Sequence, residues 1–212
     1  MTLNRRQFLD RSARVMLAAG LTLSAVPALA ESVDVEALMQ AGPLPEMALG
    51  DENAPVTIVE YASMTCGHCA NFHKNTYPHL KSEYIEKGKV RFLFREFPLD
   101  PVATAAFMLA RCAPEDKYFD VVDTMFAEQR KWAFTNDPYN SLLNFAKQIG
   151  FTQENFESCL QNQELLDAIN NIKNRASSEF GVSSTPTFFV NGEKVNGAIT
   201  VEQLDEELAK HL

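Results

Sequence analysis

Between Pro101 and Gly181 the chain carries about 80 residues in which apolar positions recur at helical spacing, and strand-like sequence stands on both sides of that block. "VATAAFMLARCA", "DKYFDVVDTMFAEQRKW", "NSLLNFAKQIG" and "TQENFESCLQNQELLDAINNIKNRASSEFG" compose it, with Gly150 and Gly181 placed to cap helix C-termini. Before the block, "PVTIVEYAS" (55–63) is rich in β-branched and aromatic residues without clean alternation, as in a strand buried on both faces. From Cys66 to about Lys87 the pattern is helical, stops at Gly88, and should break after Tyr77 because Pro78 lacks an N–H. "KVRFLFREFPL" (89–99) reads as a second strand. After the block, "TPTFFVNGEKVNGAI" reads as two strands joined by a tight turn at Asn191-Gly192, and "TVEQLDEELAKHL" as a closing amphipathic helix. This order predicts an α/β fold: a small sheet with helices on its faces, into which an all-helical block (101–181) is inserted. Residues 31–54, containing "GPLP" and "GDENAP", are expected to form a surface lead with one helical turn.

The first 30 residues carry a different message. Arg5, Arg6, Arg11 and Arg14 precede the apolar run "VMLAAGLTLSAVPALA", which ends in Ala28-Leu29-Ala30, an A-x-A cleavage pattern. The run falls short of the ~20 apolar residues of a spanning helix. An export signal cleaved after Ala30 is therefore expected, and "NRRQFL" resembles a twin-arginine signal, although Asp10 stands where such signals often carry lysine. Cleavage leaves 15 basic and 27 acidic side chains, a net charge of −12. Such a surface repels phosphate backbones, so nucleic acid is excluded as a partner. All four cysteines lie in the exported part, where disulfides are permitted.

Cys66 and Cys69 flank Gly67-His68 where strand pattern gives way to helix. A cysteine at a helix N-cap faces unpaired N–H groups and the positive end of the dipole, so Cys66 is the expected thiolate. The dipole contributes ~1 to 2 kcal/mol, whereas lowering a thiol from ~8.5 to ~4 takes about 6 kcal/mol. Hydrogen bonds from the amides of His68 and Cys69, and the His68 side chain, must supply the remainder. A two-residue spacer closes too small a loop for an effective structural staple. A metal site built on Cys66, Cys69 and His73, with His79 beyond, is the competing reading, but zinc wants four ligands and no second paired motif exists. No metal or cofactor is expected. His73 and His79 are otherwise expected on the helix surface.

Glu60 lies six residues before Cys66, near the end of the buried strand. Burying a carboxylate is costly unless it is protonated or paired, and a base behind Cys69 would give the residue a purpose. The alternative is a solvated strand end. Pro186, in "SSTPTFFV", belongs at a strand start because it cannot donate to a sheet. Cys112 and Cys159, 47 residues apart in the helical block, are open to three readings: a disulfide contributing about 4 kcal/mol by chain entropy, two buried thiols, or a second redox couple.

"GDENAPVTIVEYASMTCGHCANFH", "FREFPL" and "FGVSSTPTFFVNG", in this order with a helical insertion between the last two, resemble the DsbA-type thiol:disulfide oxidoreductases, including alphaproteobacterial members. The resemblance implies a thioredoxin-like domain (55–100 and 182–212) with an inserted helical domain (101–181). It implies that Cys66 is the nucleophile, Cys69 its resolving partner, Glu60 a buried carboxylate, and Thr185-Pro186 a cis-proline loop that holds substrate. Gly67-His68 departs from the Pro-His of the best-known DsbA and matches protein disulfide isomerase, and the retained histidine still implies an oxidant. Cys112 and Cys159 are similar to an extra pair that is disulfide-bonded in some alphaproteobacterial relatives.

The expected activity is donation of the Cys66-Cys69 disulfide to reduced exported proteins in the periplasm. A DsbB-type membrane oxidase would restore the disulfide, and the protein would act as a monomer. The alternatives are an isomerase or reductase, for which the 24 residues before Pro55 leave no room for a DsbC-type dimerisation domain, and a periplasmic metal-holding protein.

Overall fold

The computed structural model describes residues 33–212, so the expected export signal lies outside the described residues. A short helix α1 (Val35–Met39) and strand β1 (Met47–Leu49) precede strand β2 (Val56–Ala62), helices α2 (Gly67–Asn75) and α3 (Tyr77–Leu80), and strand β3 (Val90–Glu96). Six helices follow: α4 (Pro101–Cys112), α5 (Tyr118–Ala127), α6 (Gln129–Trp132), α7 (Pro138–Gln148), α8 (Gln153–Leu160) and α9 (Gln163–Phe180). The hairpin β4 (Thr187–Val190) and β5 (Glu193–Asn196) and helix α10 (Val201–Leu208) close the chain. The sheet order is β1-β3-β2-β4-β5, with β2 and β3 parallel and the other pairs antiparallel. None of the described helices is long and apolar enough to cross a membrane.

Strand alternation decides what faces what. In β2, Val56, Ile58 and Ala62 join the larger core, which also holds α2, α3, α10 and most of the helical block, while Val59 and Tyr61 join a smaller core with Leu38, Ile172, Ala176 and Phe180. Glu60 falls between Val59 and Tyr61 and so points to the larger core, toward α2. The second face of the sheet is covered by α1 and by α9, the last helix of the helical block. That helix therefore serves both the inserted block and the sheet. At Asn191-Gly192 both residues have positive φ, 47° and 89°, as a type I′ hairpin turn requires, and the Asn191 side chain accepts from the Thr57 amide at 2.8 Å.

Two expectations are corrected. The lead has the expected helical turn as α1, but it also adds an edge strand that the surface reading missed: Met47, Ala48 and Leu49 pair with Phe94, Leu93 and Phe92, and Leu38 is buried. Buried Arg95 ties it down, with Nε and Nη2 on the two Glu46 carboxylate oxygens at 3.1 and 2.6 Å and Nη1 donating to the Leu38 carbonyl at 2.7 Å. The break expected after Tyr77 falls at Thr76, which ends α2, and Pro78 sits in the first turn of α3, where its missing N–H costs nothing.

Candidate redox site

Cys66 is the N-cap of α2, with extended backbone (φ −79°, ψ 119°), and its Sγ accepts from the Cys69 amide at 3.4 Å. Its thiol also lies against the cis Thr185-Pro186 loop, donating to the Thr185 carbonyl at 3.2 Å. Cys66 and Cys69 are free thiols, the first 8% exposed and the second fully buried. Donors from Cys69, from Thr185 and from the amides of Cys69 and His68 outweigh the opposing effect of burial and lower the Cys66 thiol to about 5. Thr185 Oγ1, in the same loop, is buried without a hydrogen-bond partner among the described residues. His68 acts here through its amide, and its residue is exposed, so backbone donors take the part its side chain was expected to share.

Cys69 is displaced in the opposite direction. Burial pushes its thiol well above the ordinary range, and the hydrogen bond to Cys66 and the charge of Glu60 push it further. The pair is thus one acidic and one basic thiol separated by a single helical turn. The roughly two pH units between about 5 and neutrality favour the dithiol, making the couple more oxidising by at most about 60 mV.

Glu60 is completely buried, and a partner the helix-surface reading missed accompanies it. His73 is buried, not on the surface: it follows Cys69 by four residues, one helical turn, and so shares the inward face of α2. Its Nε2 lies 3.0 Å from Glu60 Oε2, its Nδ1 3.5 Å from Asp123 Oδ1, and its ring stacks on Phe126 at 4.3 Å. Burial alone would depress the imidazole, but the charge of Glu60 and the contacts with both carboxylates raise it to about 9. Burial pushes the Glu60 carboxyl up and His73 pulls it back. The pair holds a proton at neutral pH within the protein interior. Glu60 Oε1 has no hydrogen-bond partner among the described residues.

With both nitrogens of His73 turned to carboxylates and His79 Nε2 bonded to Asp205 at 2.8 Å, neither histidine joins the cysteines as a metal ligand. Buried Gln129 was not legible in the sequence: its Nε2 donates to the carbonyls of Met64 and Cys66, at 2.8 and 3.0 Å, and fixes the loop that presents Cys66. At Gly67 an added Cβ would meet nothing within 4 Å, so the surface beside Cys66 is open. Remote from this arrangement in sequence, Cys112 and Cys159 form a disulfide joining the end of α4 to α8.

Comparison with known proteins agrees with this geometry. A family model described as thioredoxin matches residues 44–210. A putative protein-disulfide oxidoreductase of Rickettsia conorii is 34% identical over 172 residues, covering 79% of this chain and 60% of that protein. A probable disulfide bond formation protein D of Bacillus anthracis is 28% identical over 173 residues, covering 78% of this chain and 79% of the relative. The crystal structure of alpha-DsbA1 from Wolbachia pipientis superposes with a TM-score of 0.76 at 31% identity, covering 84% of this chain and 96% of that one. The chain spans 55 to 64% of the length of the Rickettsia relatives it matches.

Proposed function

Because this chain belongs to the thioredoxin family and is DsbA-like within it, we propose that it is a periplasmic thiol:disulfide oxidoreductase that gives the Cys66-Cys69 disulfide to folding exported proteins. A client thiolate attacks Sγ of Cys66, a client–Cys66 disulfide forms, and Cys69 leaves as a thiolate. That leaving group is the high-pKa member of the pair and must take up a proton at once. The Glu60–His73 pair, one turn away and holding a proton at neutral pH, is placed to provide it. The client's second thiolate then attacks its own sulfur in the mixed disulfide and expels Cys66. Two electrons pass from the client dithiol to the cysteine pair, and the departing thiolate is the acidic one, which leaves fast. Thr185 and the cis bond before Pro186 border the sulfur where a client backbone would lie. A quinone-linked membrane oxidase of the DsbB type would accept the electrons and restore the disulfide.

The single observation that carries this reading is the opposed tuning of the two thiols, Cys66 lowered and Cys69 raised. The decisive experiment is trapping with Cys69→Ser. With Cys66 of that variant first converted to a mixed disulfide with an aryl thiol, a reduced client thiolate attacks Sγ of Cys66 and expels the aryl thiolate, and the client is expected to stay covalently attached through Cys66 and releasable by reductant. If no mixed disulfide accumulates with reduced, unfolded clients, the mechanism is wrong. The Gly67-His68 dipeptide, shared with protein disulfide isomerase, keeps a second reading in play, an isomerase or reductase. A reduction potential near thioredoxin's ~−270 mV would select that reading over the oxidase.

A further inference from the structure

We propose that the groove between α2 and the α5–α6 turn is a docking lane for acidic residues that flank the client's reactive cysteine. This proposal rests on the oxidoreductase reading and adds a substrate preference to it.

The groove encloses about 860 Å³ and begins at Gly67, the residue after Cys66. Gly67, Ala70, Asn71 and Lys74 form its α2 wall, and their i, i+3, i+4, i+7 spacing places them in one stripe along the helix. Arg130 and the exposed Phe134 stand on the opposite wall. The lining is cationic in a chain whose formal net charge is −9. Lys131 spends its charge on Glu128 at 2.6 Å, but Lys74 and Arg130 are exposed and form no ion pair among the described residues. Two uncompensated cations on facing walls of a groove that opens beside the reactive sulfur are complementary to an anionic segment arriving with a thiol.

The helix sets the spacing. From Cys66 to Lys74 the stripe runs about 12 Å at 1.5 Å per residue. An extended client covers about 3.3 Å per residue, so the acidic residues that reach Lys74 lie roughly three or four positions from the client cysteine. The lane is open at its start, where a Cβ added to Gly67 would meet nothing within 4 Å. Phe134 adds apolar contact at the far wall, which suits a client segment mixing acidic and aromatic residues.

The test uses the oxidised full chain and three dithiol peptides that differ only at positions three and four from the reactive cysteine, carrying aspartates, asparagines or lysines. Oxidation of each peptide is followed under single-turnover conditions at 20 and 300 mM salt. The aspartate peptide is expected to react about five- to tenfold faster than the asparagine peptide at low salt, with the gap closing at high salt. In the charge reversal Lys74→Glu/Arg130→Glu the order should invert, so that the lysine peptide becomes fastest, an outcome that misfolding cannot produce. Equal rates for all three peptides, or an unchanged order in the reversed variant, overturn the docking lane and leave the oxidase reading standing. No reaction with any peptide removes the oxidase reading and the lane together. If the reversal instead abolishes binding to vesicles containing anionic lipid, or dissociates a dimer, while peptide preference stays unaltered, the groove serves another occupant and the proposal fails.

Discussion

The four cysteines form two pairs whose surroundings differ in kind. Cys66 and Cys69 stand three residues apart at a helix N-terminus, one thiol stabilised as an anion by donors and the other kept protonated by burial. Cys112 and Cys159 stand 47 residues apart and hold α4 against α8, with a Cα–Cα distance of 6.1 Å. In the first pair the local field separates two chemically identical side chains and makes their bond easy to open. In the second, the long intervening loop makes the bond a constraint on the unfolded chain. Spacing alone does not set the first pair's chemistry, because the donors around Cys66 and the burial and carboxylate behind Cys69 decide it.

The largest effect on that contrast is expected from substitution of Cys66. Cys66→Ala is expected to abolish disulfide transfer to reduced clients while leaving the fold intact, because the sulfur is an N-cap whose loss costs only about 1 kcal/mol. Residual transfer at even a tenth of the original rate would show that another thiol does the work. Replacing the other pair, in Cys112→Ala/Cys159→Ala, should have the converse effect. Stability should fall by about 4 kcal/mol by the chain-entropy argument, roughly 8 to 16 °C in Tm, with transfer retained at temperatures where the variant is folded. A variant that keeps its Tm and loses transfer would reverse the division of labour.

How much of this contrast the sequence discloses depends on whether the determining interaction is local. The helix start at Cys66, the Asn191-Gly192 turn and the helical periodicity between Pro101 and Gly181 are local properties, and the fold follows from them. Strand β1 is three residues long, too short to show alternation, and is held through Glu46 and Arg95, 49 positions apart. The partner of Glu60 was visible in principle: four residues after Cys69 lies on the same helix face, so a buried Cys69 turns His73 inward as well. Gln129 has no such signal, since it reaches the Cys66 carbonyl from 63 residues away. The partnership of Cys112 and Cys159 was equally open, because a separation of 47 residues sets the size of a loop and not whether it closes.

The carboxylate behind Cys69 sets the first pair apart in a further way. His73→Phe leaves Glu60 buried without its counter-ion, and about 3 kcal/mol of stability should be lost at neutral pH. Adding Glu60→Gln to the same chain removes the stranded charge and should recover part of that loss. Chemical denaturation of the two single variants and the double variant measures the coupling. If the double variant is no more stable than His73→Phe, the pair is held by shape and not by charge.

The smallest effect isolates the Cys66 anion by comparing the reduced and oxidised protein as pH changes. In the reduced form the folded thiol titrates at about 5, below its unfolded value of ~8.5. A depressed folded pKa contributes stability that is complete above the unfolded value and lost as pH falls through the folded one. In the oxidised form Cys66 does not titrate, while the carboxylates and histidines titrate in both forms and largely cancel in the difference. The Tm of the reduced protein minus that of the oxidised protein should therefore rise between pH 5 and pH 8. About 2.7 kcal/mol at pH 7 is an upper bound, and screening by water at the helix N-terminus lowers it, so a change of a few degrees is expected. A Tm difference that stays flat across this window would mean that the sulfur at the N-cap carries no charge, and the asymmetry between the two thiols would then give the first pair no chemical advantage over the second.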